Sequence, residues 1–206
     1  PPFPTGAGEG YRVCGWDGLW LLALLALVWL LHCVRLGNGD IWEHIKIGEM
    51  IVRARGIPAS RDILWTWSGQ AWLAHAWLFE VLVYGLYRAG GLIPLYLFDT
   101  ALASGALWLL YGQWRRYGGG RLLGAWLTTL AALAAAGRYQ MRPEACTALG
   151  LALLLVLLSD YRAGRRKTLW VLVPLGVVWA NFHGGVLTGV AAVGAFVAAE
   201  VVQWVP

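Results

Sequence analysis

The feature that most constrains this chain is a series of long apolar runs separated by short loops that carry basic residues or glycine. A helix that crosses the roughly 30 Å hydrocarbon core of a bilayer needs about 20 apolar residues. Hydrophobic residues make up 59% of the 206 residues and charged residues only 13%, whereas soluble domains average about 45–50% apolar and about 25% charged. The sequence therefore predicts an all-α integral membrane protein, a polytopic transmembrane helical bundle.

About six spans are predicted. They cover residues 18–36, 92–114, 121–138, 145–161, 169–182 and 185–205. We expect residues 1–206 to form a single transmembrane domain. Within it, 37–91 is predicted to be a large extracytoplasmic loop of juxtamembrane, interfacial helices between spans 1 and 2, and 92–206 to be the helical bundle.

Two loops between apolar runs carry clusters of basic residues, and these clusters indicate orientation. The clusters are Arg115, Arg116 and Arg121, and Arg162, Arg165, Arg166 and Lys167. Lys and Arg concentrate in cytoplasmic loops. If the short run 77–87 lies in the interface and does not cross, both clusters and the N-terminus are cytoplasmic; if it crosses, both clusters face outward. We favour the first arrangement. We predict no nucleic-acid partner, because the net charge of +5 lies in loops between spans.

Polar residues after the first span share one predicted helical face. Asp40, Glu43 and His44 occupy positions i, i+3 and i+4, which are neighbours on a helix surface. Two carboxylates and an imidazole in this arrangement suit a divalent cation, Mg²⁺ or Mn²⁺, or a general base with an orienting group. The alternative is structural, with Asp40 capping its helix and Glu43 pairing with Lys46 in solvent.

Further polar residues fall on the same predicted outer side. His75 and Glu80 flank the interfacial run, where a histidine beside aromatic residues serves as a ligand or as an interfacial anchor. Arg142, next to a helix-breaking proline, can bind phosphate bidentately or pair with Glu144. His183 precedes two glycines, which allow a ligand to approach the backbone or simply end a helix.

The order of these motifs resembles the first outer loop of bacterial GT-C-type membrane glycosyltransferases. The resemblance is closest to the branch related to the dolichyl-phosphate-mannose and lipid A aminoarabinose transferases. It rests on Gly39-Asp-Ile-Trp-Glu-His44, Gly48, Gly56-Ile-Pro58, Asp62, Gly69-Gln-Ala-Trp72, His75-Ala-Trp-Leu78, Arg142-Pro143 and Trp179-Ala-Asn-Phe-His-Gly-Gly185. It extends over roughly residues 18–205.

The resemblance implies an enzyme of the bacterial cytoplasmic membrane, active on its extracytoplasmic face, whose donor is a sugar on a polyprenyl phosphate. Asp40 stands at the position of the catalytic carboxylate, and His75 stands where relatives place a residue that contacts metal or phosphate. Relatives commonly have Glu after that histidine, where this chain has Ala76, and Glu80 or Glu43 is the implied substitute. The implied phosphate-binding set is His75, Glu80, Arg142 and His183, and the implied metal ligands are Glu43 and His44.

Related enzymes have more spans and often a C-terminal soluble domain. Because this chain begins at a proline and ends in an apolar run, we expect it to be the N-terminal half of a longer protein. Two alternatives stay open. A transporter or flippase predicts charges deep in several spans, and only Asp99 fits. A non-catalytic helical subunit predicts seams of small residues, such as Gly185-xxx-Gly189.

Overall fold

A computed structural model describes residues 15–33, 39–57, 74–138 and 141–204. These residues form α-helices joined by turns, with no strand among them, which confirms the all-α prediction for this part of the chain. The helices are α1 Gly15–Cys33, α2 Asp40–Ala54, α3 Trp77–Gly90, α4 Leu92–Arg116, α5 Arg121–Ala135, the 3₁₀ helix Ala136–Arg138, α6 Glu144–Arg162, α7 Leu172–Phe182 and α8 Val186–Trp204.

Each predicted span corresponds to one helix, with ends that differ by at most three residues. Three of these helices, α4, α6 and α8, are long and apolar enough to cross a membrane by length and composition. The helices α5 and α7 are apolar but shorter, and α1 is grouped with them on its stretch Gly15–Leu31. At about 1.5 Å per residue, the 11 residues of α7 reach only about half of the hydrocarbon thickness. Of the six predicted spans, three are therefore shown to be long and apolar enough to cross a membrane.

The amphipathic helix α2 packs against α3, and one glycine makes their close approach possible. Gly48 of α2 is buried, and a Cβ atom at this position would overlap the carbonyl oxygen of Glu80 and lie 2.8 Å from Cβ of Tyr84. After α3 the chain turns into α4 at Gly91, whose φ of 67° is a conformation that glycine adopts without strain. This turn lies at the predicted boundary between the loop 37–91 and the span that begins at residue 92.

The longest helix, α4, occupies the centre of the bundle and contacts α1, α3, α5 and α6. Its middle joins Leu24 and Val28 of α1 and Ala132 of α5 in one apolar cluster. A second cluster joins α6 to α7 and α8 around Leu154 and Trp179. By contrast, only 6% of the apolar window of α8 is buried, so most of its apolar surface is available to lipid.

The two basic loops meet at one end of the bundle, which we call the basic end. Asp160 near the end of α6 links them, because it lies 3.5 Å from Nη1 of Arg116 and 2.9 Å from Nε of Arg165. Nε of Arg162 lies 3.5 Å from Glu200 near the end of α8. Both basic loops were predicted to lie on one side of the membrane, and these contacts place them at one end of the molecule.

A buried acid that the sequence analysis did not single out also lies at the basic end. Asp17 in the first turn of α1 is 2% exposed, and it accepts a hydrogen bond of 2.9 Å from the hydroxyl group of Tyr111. Nε of Arg121 lies 3.8 Å from the same carboxylate. Asp17 therefore ties the beginning of α1 to the end of α4 and the beginning of α5.

Candidate functional site

The opposite end of the bundle, which we call the polar end, brings together four segments that are distant in sequence. A single apolar cluster joins Ile41 and Ile45 of α2, Phe79 of α3, Leu95 of α4 and Met141. Cys146 at the start of α6 and Phe182 at the end of α7 pack against it. The predicted site residues lie on these same segments, so the cluster is the platform that gathers them.

Asp40 and Arg142 form an ion pair at the polar end. Their Oδ2 and Nη2 atoms are 2.5 Å apart, with half of the Asp40 side chain and a third of the Arg142 side chain exposed. The N-cap of α2 is Gly39, and no side chain bonds to the cap. Asp40 therefore does not occupy the N-cap position of α2, and it pairs with Arg142.

His44 and Glu80 form a second pair, between α2 and α3. Nδ1 of His44 lies 3.4 Å from Oε1 of Glu80, and the ring stands edge-on to Phe79 at 5.3 Å. Glu80 is 4% exposed, and its Oε2 is buried without a hydrogen-bond partner among the described residues. A buried carboxylate against Nδ1 fixes the orientation of an imidazole and leaves Nε2 for chemistry. The phosphate-binding role of Glu80 stays a prediction, and little of its surface is available for one.

The metal role of Glu43 and His44 also stays a prediction. Glu43 lies on the same face of α2 as Asp40 and His44, and Lys46 bonds to Glu49 at 2.8 Å. Within the described ranges, no three His, Cys, Asp or Glu residues are grouped closely enough to hold a metal ion. We derive no chemical step through a cation.

His183 lies between α7 and α8, and its Nδ1 is 2.7 Å from the hydroxyl oxygen of Thr147. Burial lowers the pKa of His183, the charge of Glu144 raises it and the charge of His75 lowers it. Glu144 and His75 therefore lie close enough to the imidazole to change its pKa. His75 itself is exposed, directly before α3. Nearby, Nε1 of Trp77 donates a hydrogen bond of 2.6 Å to Asn181, which joins α3 to the end of α7.

Asp99 is buried and makes a contact that was not predicted from the sequence. It is 4% exposed on α4, and its Oδ2 accepts a hydrogen bond of 3.3 Å from the backbone N–H of Met141. Met141 has a φ of 50° and directly precedes Arg142. Asp99 thus holds the turn from which Arg142 reaches Asp40. A lone acid inside an apolar run was the available signal, but its partner is a backbone group 42 residues away.

The glycine seam that favoured a helical subunit is used inside the chain. A Cβ atom at Gly185 would lie 2.6 Å from Nδ1 of His183, and one at Gly189 would lie 2.6 Å from the ring of Trp179. The missing Cβ atoms of the two glycines therefore leave room for the side chains of His183 and Trp179. They supply no argument for association with another helix.

Part of the resemblance falls outside the described residues. Pro58, Asp62 and the segment 69–72 belong to the range 58–73, and the side chain of Arg138 is likewise outside the description. No protein-family model, no curated protein and no solved structure matches the chain. The relation to GT-C-type glycosyltransferases therefore stays a prediction from the motifs.

Proposed function

We propose that this protein is a membrane glycosyltransferase that moves a sugar from a polyprenyl-phosphate donor to an acceptor hydroxyl group at the polar end. The observation that carries the proposal is the partly exposed Asp40–Arg142 ion pair, with His44 four residues after Asp40 on α2, on a bundle with three helices that can span a membrane. A carboxylate and a guanidinium side by side are the two groups that this transfer needs.

In the proposed reaction, the acceptor oxygen forms a bond to the anomeric carbon, and the bond from that carbon to the lipid phosphate breaks. Asp40 takes the proton from the acceptor hydroxyl group as general base. Arg142 stabilises the charge that develops on the leaving phosphate, for which its planar fork of donors is suited. Arg142 has to turn from Asp40 towards the phosphate, and this exchange would leave Asp40 free to accept a proton when the donor is bound.

A second base is available within the same proposal. With Nδ1 against Glu80, His44 can offer Nε2 to an acceptor. The 3.4 Å separation is long for a hydrogen bond, and for that reason we assign the base to the more exposed Asp40. His44 is the runner-up.

The remaining parts of the proposal follow from charge and composition. The basic end faces the cytoplasm by the positive-inside rule, so the polar end faces outward from a bacterial cytoplasmic membrane. The lipid chain of the donor lies against apolar helix surface, and His75 and His183 add contacts to its phosphate. The proposal includes a Mg²⁺ or Mn²⁺ ion with Glu43 and His44 as its ligands, as the motif resemblance implies.

The test is a transferase assay on the full-length protein in lipid nanodiscs, with a panel of polyprenyl-phosphate sugars and detection of released polyprenyl phosphate. We expect Asp40→Asn to lower turnover about 100-fold or more, the usual size of a general-base effect. Glu49→Gln is the matched control on α2, because Glu49 forms ion pairs with Lys46 and Arg53 of its own helix.

The outcomes separate the possibilities. Wild-type turnover in Asp40→Asn with a large loss in His44→Gln moves the base to His44. Wild-type turnover in both variants removes the catalytic assignment. Turnover that disappears on chelation and returns with Mg²⁺ or Mn²⁺ adds the cation. No released polyprenyl phosphate with any donor of the panel counts against the transferase proposal.

A further inference from the structure

The junction of α6, α7 and α8 contains a connected set of three hydrogen bonds that ends on His183. Nε1 of Trp179 donates to the hydroxyl oxygen of Thr147 at 3.0 Å. That oxygen is 2.7 Å from Nδ1 of His183. The backbone N–H of Gly185 donates to the same Nδ1 at 3.2 Å.

Counting donors assigns every proton in this set. A backbone N–H can only donate, so Nδ1 of His183 must present its lone pair to Gly185. The indole N–H of Trp179 also can only donate, so Thr147 accepts there with one lone pair and keeps its own proton to donate to Nδ1. The single proton of the neutral imidazole therefore sits on Nε2.

The first donor of the set cannot easily turn away. Trp179 is 5% exposed, and glycines of two helices flank its ring. A Cβ atom at Gly150 of α6 would lie 2.8 Å from the ring, and one at Gly189 of α8 would lie 2.6 Å from it. Because such close packing fixes the plane of the indole, its N–H keeps pointing at Thr147.

We propose that Trp179 and Thr147 are positioning residues that hold His183 as a neutral imidazole whose Nε2–H donates to an anionic oxygen of the ligand. Nε2 has no hydrogen-bond partner among the described residues, and the side chain is only partly buried. The identity of that oxygen, a phosphate oxygen of the prenyl donor, rests on the proposed function. The protonation state of His183 rests on the geometry alone.

Burial of His183 acts in the same direction as this geometry, because it disfavours the charged ring. Burial lowers its pKa below the ordinary value of 6.5, the carboxylate of Glu144 opposes this effect, and the nearby imidazole of His75 adds to it. Because the pKa is lowered from 6.5, the neutral ring with its Nε2–H donor predominates at pH 6.5 and above. Protonation at lower pH would require Nδ1 to lose both of its donors.

The test is ¹⁵N NMR of the full-length protein labelled at its histidines, four of which lie in residues 1–206, with His183→Gln to assign the signal. We expect one tautomer for His183, with an unprotonated Nδ1 and a protonated Nε2, and a titration midpoint below 6.5. Thr147→Val removes the hydroxyl group at nearly constant shape, and we expect mixed tautomers and a midpoint nearer 6.5. Thr147→Ser keeps the hydroxyl group and should restore the wild-type signal. A protonated Nδ1 in the wild type, or an unchanged signal in Thr147→Val, overturns the proposal.

The donor role is tested by adding farnesyl phosphate, with farnesol as the uncharged control of the same chain. We expect the Nε2–H signal to move with the phosphate, not with the alcohol, and to move less in Thr147→Val than in Thr147→Ser. A correct tautomer whose signal ignores farnesyl phosphate overturns the donor role. Full turnover in Asp40→Asn alongside a phosphate-dependent shift would instead overturn the catalytic assignment and leave this inference standing.

Discussion

The two ends of the bundle both contain ion pairs, but the pairs are built differently. At the basic end, Arg116 and Arg165 reach one aspartate on an exposed rim, with more than two-fifths of each arginine side chain exposed. At the polar end, the Asp40–Arg142 pair rests on a turn whose backbone is held by Asp99, which is 4% exposed.

The rim pairs at the basic end mainly neutralise charge, whereas the Asp40–Arg142 pair at the polar end is held in a defined geometry. Exposed pairs of long side chains contribute little, because water competes and the side chains lose entropy. A pair anchored through a buried hydrogen bond keeps its geometry, which costs stability if the anchor is removed. We therefore expect substitutions at the polar end to be more damaging than equivalent substitutions at the basic end. The four predictions below would break or sharpen that expectation.

The largest effect is expected at the α2–α3 contact, which carries one side of the polar end. Gly48→Ala places a methyl group on the backbone of Glu80, and the two helices must separate, which we expect to cost about 3 kcal/mol. Gly85→Ala is the matched control in α3, where nothing lies within 4 Å, and it should be neutral or stabilising by about 0.5–1 kcal/mol. Thermal unfolding in detergent measures both. Equal stability of the two variants would contradict the close packing of α2 on α3.

The next effect is a direct comparison of the two ends. Asp99→Ala leaves the N–H of Met141 buried without its acceptor, which we expect to cost about 2 kcal/mol. Asp160→Ala removes the rim aspartate of the basic end and should cost less than about 1 kcal/mol. Urea unfolding of both variants gives the ranking, and a larger loss for Asp160→Ala would reverse our account of the ends.

A third substitution asks whether the basic end has an anchor of its own. Tyr111→Phe removes the hydrogen bond to the buried carboxylate of Asp17, and we expect a loss of about 1.5 kcal/mol because the acceptor is charged. Tyr117→Phe is the control, since that hydroxyl group is exposed and 3.4 Å from its acceptor. If both variants unfold alike, Asp17 does not tie α1 to α4.

The smallest effect is expected on the rim. Arg116→Gln should change the free energy of unfolding by about 0.5 kcal/mol or less, and high salt should reduce even that difference because exposed charges are screened. Unfolding at low and at high sodium chloride concentration measures it. A loss above about 1.5 kcal/mol that persists at high salt would show that the rim pairs are structural.

Helix positions were predictable because apolar run length and helix-breaking residues are local properties of the chain. The run from Leu92 and the run ending at Phe182 became helices with nearly the predicted ends. The gathering of Asp40, His44, Arg142 and His183 at one end was also expected, from alternation of the spans. Their partners were not predictable, since Glu80 lies 36 residues from His44 and the N–H that Asp99 binds belongs to a backbone turn.

What the sequence by itself determined is therefore the helical, lipid-compatible architecture, because hydrophobicity acts residue by residue along each run. Only the tertiary structure decided which polar groups meet. It pairs Asp40 with Arg142 instead of leaving it as a cap, and it turns two glycines and a tryptophan into a support for His183. Such contacts depend on the rotation and separation of the helices, because a shift of about 1 Å takes a donor and an acceptor out of hydrogen-bonding distance.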